Sequence, residues 1–287
     1  MTAGEPVTVG EPATGGDEGG VPAPPPAETP GSRAPIRPGL CSVTFRGLPA
    51  ARVAALAAQA GLEAIEWGGD VHVPPGDGRR AAEVARITAD AGVAVCSYGS
   101  YFRGDPGEEI GPVLDSAVAL GADRVRVWAG RIGSADAGAD ERVRLTAALA
   151  RAAAEAADRG VVLALEYHGG TLADTPEATL RLLGDVAHPM LRTYWQPTVG
   201  ASDDEAVAEY GRLADRVSAV HVFSWWPATE RHPLPFRDGL WRSFAAAAAG
   251  AAEPPRDALL EFVPDDDPAR LPAEAAALRC YLGHASG

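Results

Sequence analysis

Three apolar runs end in side chains that can move protons or bind metal: Glu166 and His168 in VVLALEYH, His221 in VSAVHVF and Glu261 in ALLEFV. Carboxylate and imidazole are the groups that exchange protons near neutral pH and that offer oxygen and nitrogen to divalent cations. Comparable positions carry Glu66, Trp67, Asp70 and His72 after LEAIEW, Tyr98 and Ser100 at VAVCSY, Arg126 and Trp128 in RVRVW, and Gln196 closing LRTYWQ. Side chains alternate faces along a strand, which sets Leu163, Leu165 and Tyr167 against Glu166 and His168. The same rule sets Val220 and Val222 against His221, and Leu260 and Phe262 against Glu261. The apolar sets are expected to pack outward and the polar set to share an inner site. Two carboxylates and an imidazole in one narrow space shift each other's pKa strongly unless something neutralises them, and a divalent cation does so. Mn2+ is the first choice, with Co2+, Mg2+ or Zn2+ also accommodated by this donor chemistry. Glu66 has a simpler reading as the partner of Arg126, and His168 as a hydrogen-bonded core histidine.

The elements that must position these residues recur eight times. Candidate strands begin at Gly39, Leu62, Val93, Arg124, Val161, Leu191, Val217 and Ala258, and Ala-rich stretches of helical spacing lie between them. Leu48 to Ala60 has Pro49 in its first turn and Gly61 just past its end, both favoured at those places. Ala139 to Arg159, Asp203 to Ala214 and Pro268 to Tyr281 have similar patterns. Eight βα units in about 250 residues imply an α/β chain folded as one closed (β/α)8 TIM barrel, whose chemistry sits at the C-terminal strand ends. No G-x-G-x-x-G follows the first strand, which argues against a dinucleotide fold. Residues 1–38 hold seven Gly and nine Pro and no aromatic residue, so they are expected to be a disordered tail, with residues 39–287 forming the barrel.

Composition excludes several functions. All 25 basic residues are Arg, and neither Lys nor Asn occurs, which removes lysine Schiff-base chemistry, the phosphate-loop lysine and N-glycosylation. A net charge of −14 opposes nucleic acid and anionic membrane as partners. Three widely spaced cysteines, Cys41, Cys96 and Cys280, form no disulfide or zinc pattern and fit a reducing compartment. With no secretory pattern at the N-terminus and no long apolar run, the cytoplasm is the expected location.

The segments LCSVTFRG, GLEAIEWGGDVH, SYGSY, RVRVWAG, LALEYHGGTLADT, TYWQP, HVFSW and LLEFV resemble the sugar phosphate isomerase/epimerase proteins of the xylose-isomerase-like barrel superfamily, over about Gly39 to Tyr281. The resemblance implies one divalent ion held by Glu166, Gln196, His221 and Glu261. Gln196 departs from the pattern, since the family usually has an aspartate there, and Val199 stands where a histidine often follows. It further implies proton transfer through a metal-stabilised enediolate, with Glu166 and Glu261 as the acid–base pair and a ketose, aldose or inosose as substrate. Glu66, Trp67, His72, Tyr98, Arg126, Trp128, His168, Trp225 and Arg231 are the candidate substrate contacts, and Trp241 is a further apolar face. Two other readings stand beside it: a lyase or dehydratase on the same enolate, including C-glycoside cleavage, and a barrel that binds metal or sugar without catalysis. The absence of a lysine or glycine-rich phosphate site favours a non-phosphorylated substrate, although Arg231 and Arg237 keep phosphate open. Barrels of this superfamily often form dimers or tetramers, so a homo-oligomer is the matching expectation.

Overall fold

Short apolar runs separated by helices produce one repeated unit, and the computed structural model describes it over residues 1–2, 36–253 and 255–284. The chain divides into two units, Met1–Ala34 and Pro35–Gly287, and the barrel lies in the second. The expected disordered tail lies, for residues 3–35, outside the described residues.

The strands are β1 (Arg37–Cys41), β2 (Ala64–Gly68), β3 (Ala94–Gly99), β4 (Arg124–Val127), β5 (Val162–Leu165), β6 (Leu191–Trp195), β7 (Val217–Val222) and β10 (Asp257–Leu260). They pair in parallel in the closed order β1-β10-β7-β6-β5-β4-β3-β2. A short antiparallel hairpin, β8 (Ser224–Trp225) with β9 (Arg231–His232), follows β7. Helices α1 (Ala50–Gln59), α2 (Gly78–Asp90), α3 (Gly111–Leu120), α4 (Ala139–Asp158), α5 (Pro176–Val186), α6 (Asp203–Leu213), α7 (Asp238–Gly250) and α8 (Leu271–Tyr281) complete the eightfold βα repeat. Local chemistry explains their limits. Ser202 and Glu205 form a reciprocal capping box at the start of α6, and Gly61, past the end of α1, has the positive φ that only glycine adopts without strain.

Most strand limits differ from the sequence reading by one to three residues, and β5 and β10 end at Leu165 and Leu260, just before Glu166 and Glu261. The first strand begins at Arg37, inside the stretch read as tail, because Arg37 pairs in register with Asp257 of β10. It also ends at Cys41, and Ser42–Phe45 turn into a 3-10 helix. Ser42 is held there by its hydroxyl, which accepts from the Gly68 backbone and contacts the His72 ring.

Alternation along the strands separates two apolar layers. Ile65, Trp67, Tyr98, Val125, Val127, Leu163, Leu165, Trp195, Val220, Val222 and Leu260 pack outward under the helices. Cys41, Ala64, Cys96, Ala164, Tyr194, Ala219 and Leu259 fill the barrel interior. The N-terminal end of the barrel is closed by a buried ion pair. Arg124 of β4 contacts Asp257 of β10, donates to Ser218 O of β7 at 2.9 Å and Cys96 O of β3 at 3.3 Å, and Asp257 also accepts from Arg37 of β1 at 2.7 Å. Tyr194 lies above it, with the Arg124 guanidinium 5.7 Å from its ring and the His221 ring 5.2 Å away at a right angle.

Candidate active site

At the opposite, C-terminal end, a cavity of about 260 Å3 opens among the strand ends. Its wall includes Arg103, Arg126, Trp128, Glu166, His168, Gln196, Trp225 and Glu261. That volume is at the small end for ligand sites and suits a monosaccharide-sized molecule.

Arg126 is the organising cation. Its Nε donates to Glu66 Oε1 at 3.0 Å and its Nη1 contacts Glu166 Oε2, so one buried guanidinium joins carboxylates from β2 and the end of β5. Ser97 donates to the other Glu66 oxygen at 2.5 Å. Burial is the largest single influence and works against ionising Glu66, but Arg126, His221 and Ser97 together outweigh it and hold the carboxyl well below the usual range. Glu66 thus lies beneath the cavity and neutralises Arg126, the simpler of its two readings.

His221 forms the second cluster. Its Nδ1 lies 3.1 Å from Gln196 Oε1 and 3.3 Å from Glu261 Oε2, and its Nε2 lies 3.5 Å from Glu66 Oε1. Burial disfavours an imidazolium, yet the Cys41 sulfur and the Glu261 carboxylate raise its pKa well above the ordinary value. Burial also pushes the Cys41 thiol up to about 12, so the sulfur stays neutral and Glu261 is the charge that matters. Glu261 is lowered in turn: burial opposes its charge most strongly, and His221 together with Arg126 outweighs it.

Gln196, His221 and Glu261 bring an amide oxygen, an imidazole nitrogen and a carboxylate oxygen together around Nδ1, a set that fits a divalent cation. Glu166, the fourth expected ligand, is held by Arg126 instead. On the other side of the imidazole, Cys41, Glu66 and His221 form a second possible metal-holding triad, with one donor atom from each lying within 4.8 Å of the others. There His221 Nε2 is buried without a hydrogen bond.

Several expected substrate contacts lie elsewhere. Trp67, His72 and Tyr98 are buried away from the cavity. Trp67 donates to Thr88 at 3.1 Å, Tyr98 donates to Val73 O at 2.6 Å, and His72 lies between Ser42 and Leu48 O at 3.0 and 3.1 Å. The physical reason for Trp67 is alternation: it neighbours the inward Glu66 and therefore faces the helices. Trp241 is core as well, donating to Ser224. Arg231 is paired with Asp266 and borders an adjoining cavity, not this one. Phe262 reverses its expectation: its φ of 59° turns the ring from the helices into the mouth, 5.7 Å from the Trp225 ring. Arg46, Tyr101, Arg103 and Phe223 also line the cavity without having been singled out; the first three follow strand ends by two to five residues in segments that alternation does not describe, whereas Phe223 directly follows β7 on the face of His221.

A family model described as xylose isomerase-like TIM barrel matches residues 54–252. No curated protein matches the chain. Among solved structures, it is similar to the probable 3-DHS dehydratase AsbF of Bacillus anthracis, at 20% identity over 85% of this chain and 98% of that one, TM-score 0.71. It is also similar to a D-psicose 3-epimerase crystallised in the presence of D-fructose, at 14% identity, 86% and 100% coverage and TM-score 0.65. A xylose isomerase-like barrel protein from Mycobacterium smegmatis in complex with magnesium shares 16% identity, with 86% and 96% coverage and TM-score 0.64. At these identities the likeness to each structure is one of fold.

Proposed function

This chain belongs to the xylose isomerase-like TIM barrel family, and from that premise we propose that it is a sugar or polyol isomerase or epimerase, acting on a ketose, aldose or inosose by proton transfer next to a carbonyl. The observation that carries the reading is the pair of carboxylates, Glu166 and Glu261, lining one small cavity at the catalytic end of the barrel. Each has one oxygen engaged by a cationic or polar partner, Arg126 for Glu166 and His221 for Glu261, and one oxygen with no hydrogen bond among the described residues. A carboxylate so held keeps its orientation while the free oxygen takes or returns a proton. Arg126 limits charge build-up as negative charge develops on the substrate oxygen. Trp128 and Trp225 offer apolar faces to sugar C–H groups. Gln196, His221 and Glu261 are the residues that would hold a divalent ion, Mn2+ by preference, whose chemistry is to polarise neighbouring hydroxyl and carbonyl oxygens. Three unpaired cysteines support a reducing, cytoplasmic setting.

A metal-supplemented panel of ketoses, aldoses and inososes in deuterated water tests this, with chromatography and mass spectrometry of the products. Deuterium is expected at the carbon α to the carbonyl, and Glu166→Gln or Glu261→Gln should each slow exchange about 100-fold or more. Exchange that survives both substitutions, or that no member of the panel shows, overturns the proposal. A product lighter by the mass of water would move the chemistry to elimination, the reading supported by the dehydratase among the structural relatives.

A further inference from the structure

Three arginines line the mouth cavity, and two are already neutralised: Arg46 by Asp70, and Arg126 by Glu66 and Glu166. Arg103 is different. Among the described residues no carboxylate oxygen lies within 4 Å of its guanidinium, whose one hydrogen bond runs from Nη1 to Gly130 O at 3.1 Å. The guanidinium is not mobile in compensation, because its carbon sits 4.0 Å above the centre of the Trp128 ring. Trp128 is itself braced by Tyr101, stacked at 6.2 Å, and by His168 at 4.5 Å. A planar, half-buried fork with most of its N–H donors unused is thereby fixed at the wall of the cavity that holds both candidate acid–base carboxylates.

Such a group does not sit idle without cost. Burial and the neighbouring Arg131 guanidinium both work against its charge. A net charge of −14 gives the whole molecule no general attraction for anions, so an anion that binds here must be recognised locally. Arginine held flat against an aromatic ring is suited to two parallel hydrogen bonds with a carboxylate or phosphate. We infer that Arg103 is the specificity determinant of the mouth cavity and that the substrate carries an anionic group, as in a sugar acid or sugar phosphate, at the end bound against Trp128. The inference rests on the sugar-site reading above and narrows it, since a neutral ketose or inosose leaves this guanidinium unanswered.

Binding calorimetry on the full chain separates the two ideas, using D-glucose, D-glucuronate and D-glucose 6-phosphate as probes and wild type, Arg103→Gln and Arg103→Lys as proteins. Wild type should bind one of the anionic probes about 10- to 100-fold more tightly than glucose, the difference expected of charge-assisted hydrogen bonds. Arg103→Gln should lose that preference, its affinities for glucose and for the anions converging, and Arg103→Lys should keep a part of it. Whichever anion is preferred identifies carboxylate or phosphate as the natural group. Equal binding of glucose and both anions, or a preference that persists in Arg103→Gln, overturns the inference and leaves the sugar reading standing. Binding of none of the three overturns the inference, and the sugar reading is then decided by the exchange panel.

Discussion

Gln196 stands on the same imidazole nitrogen as Glu261, so the number of charges facing a cation there depends on a single atom type. An amide oxygen donates through a partial charge, whereas a carboxylate brings a full one. Gln196→Asp should therefore tighten divalent-metal binding and Gln196→Ala should weaken it, each by about tenfold or more, the effect usual for ligand and neighbouring changes. Metal titrations by calorimetry read this directly, and equal affinity of wild type and the alanine variant would reduce Gln196 to orienting His221. Glu66 gives a test in pH. Its folded pKa is depressed from the ordinary 4.5, so its contribution to stability is present above that pH and is lost as pH falls below it. Melting temperature should fall on acidification below about pH 4.5, and less steeply in Glu66→Gln. At this scale alternation made Glu166, His221 and Glu261 legible in the sequence, and applied to β2 it also separates Glu66 from Trp67. The turn at Phe262 was not legible, because nothing in ALLEFV signals a positive φ for a bulky residue.

Elements, not single residues, decide how closely the site can pack. The last residue of β3 is Gly99, and a Cβ there would lie 2.8 Å from both Arg126 Nη2 and Glu66 Oε1. The strand thus makes room for the ion pair by omitting a side chain, and SYGSY records that need only to a reader who already knows what lies across from it. Gly99→Ala should displace the pair that orients Glu166 and lower turnover by about 10- to 100-fold, since misplacement by about 1 Å costs that much. The melting temperature should fall by only a few degrees if the flexible Arg126 side chain absorbs the shift. Unchanged turnover would show that the Arg126 pair does not position the carboxylate. The end of α1 was legible for a different reason: a glycine signal such as Gly61 is local in sequence. The start of β1 was not, because Arg37 is drawn into the strand by Asp257, 220 positions away.

In the whole molecule, the site is one end of a stack that begins with Arg124 and Asp257. Eight βα units implied a closed barrel from spacing alone, but the floor that closes it pairs residues 133 apart, and the run read as a strand began at Ala258, one residue after the aspartate. Arg124 and Asp257 are almost wholly buried, and between them their contacts reach β1, β3, β4, β7 and β10. Breaking a buried pair from one side leaves the other charge unanswered, at a cost of about 3–5 kcal/mol, whereas replacing both with apolar residues of similar volume is often close to neutral. Asp257→Asn should therefore lower the melting temperature by roughly 6–20 °C, given about 2–4 °C per kcal/mol for a chain of this size. The double replacement Arg124→Met with Asp257→Leu should recover most of that loss, in melts followed by circular dichroism. If the double variant is no more stable than the single one, the hydrogen bonds from Arg124 to Ser218 O and Cys96 O, and not the ion pair, hold the floor. Turnover in the double variant then reads how far the mouth depends on its base: the Tyr194 ring touches both the floor arginine and His221, so recovery of stability without recovery of turnover would locate that dependence in the Arg124, Tyr194 and His221 stack.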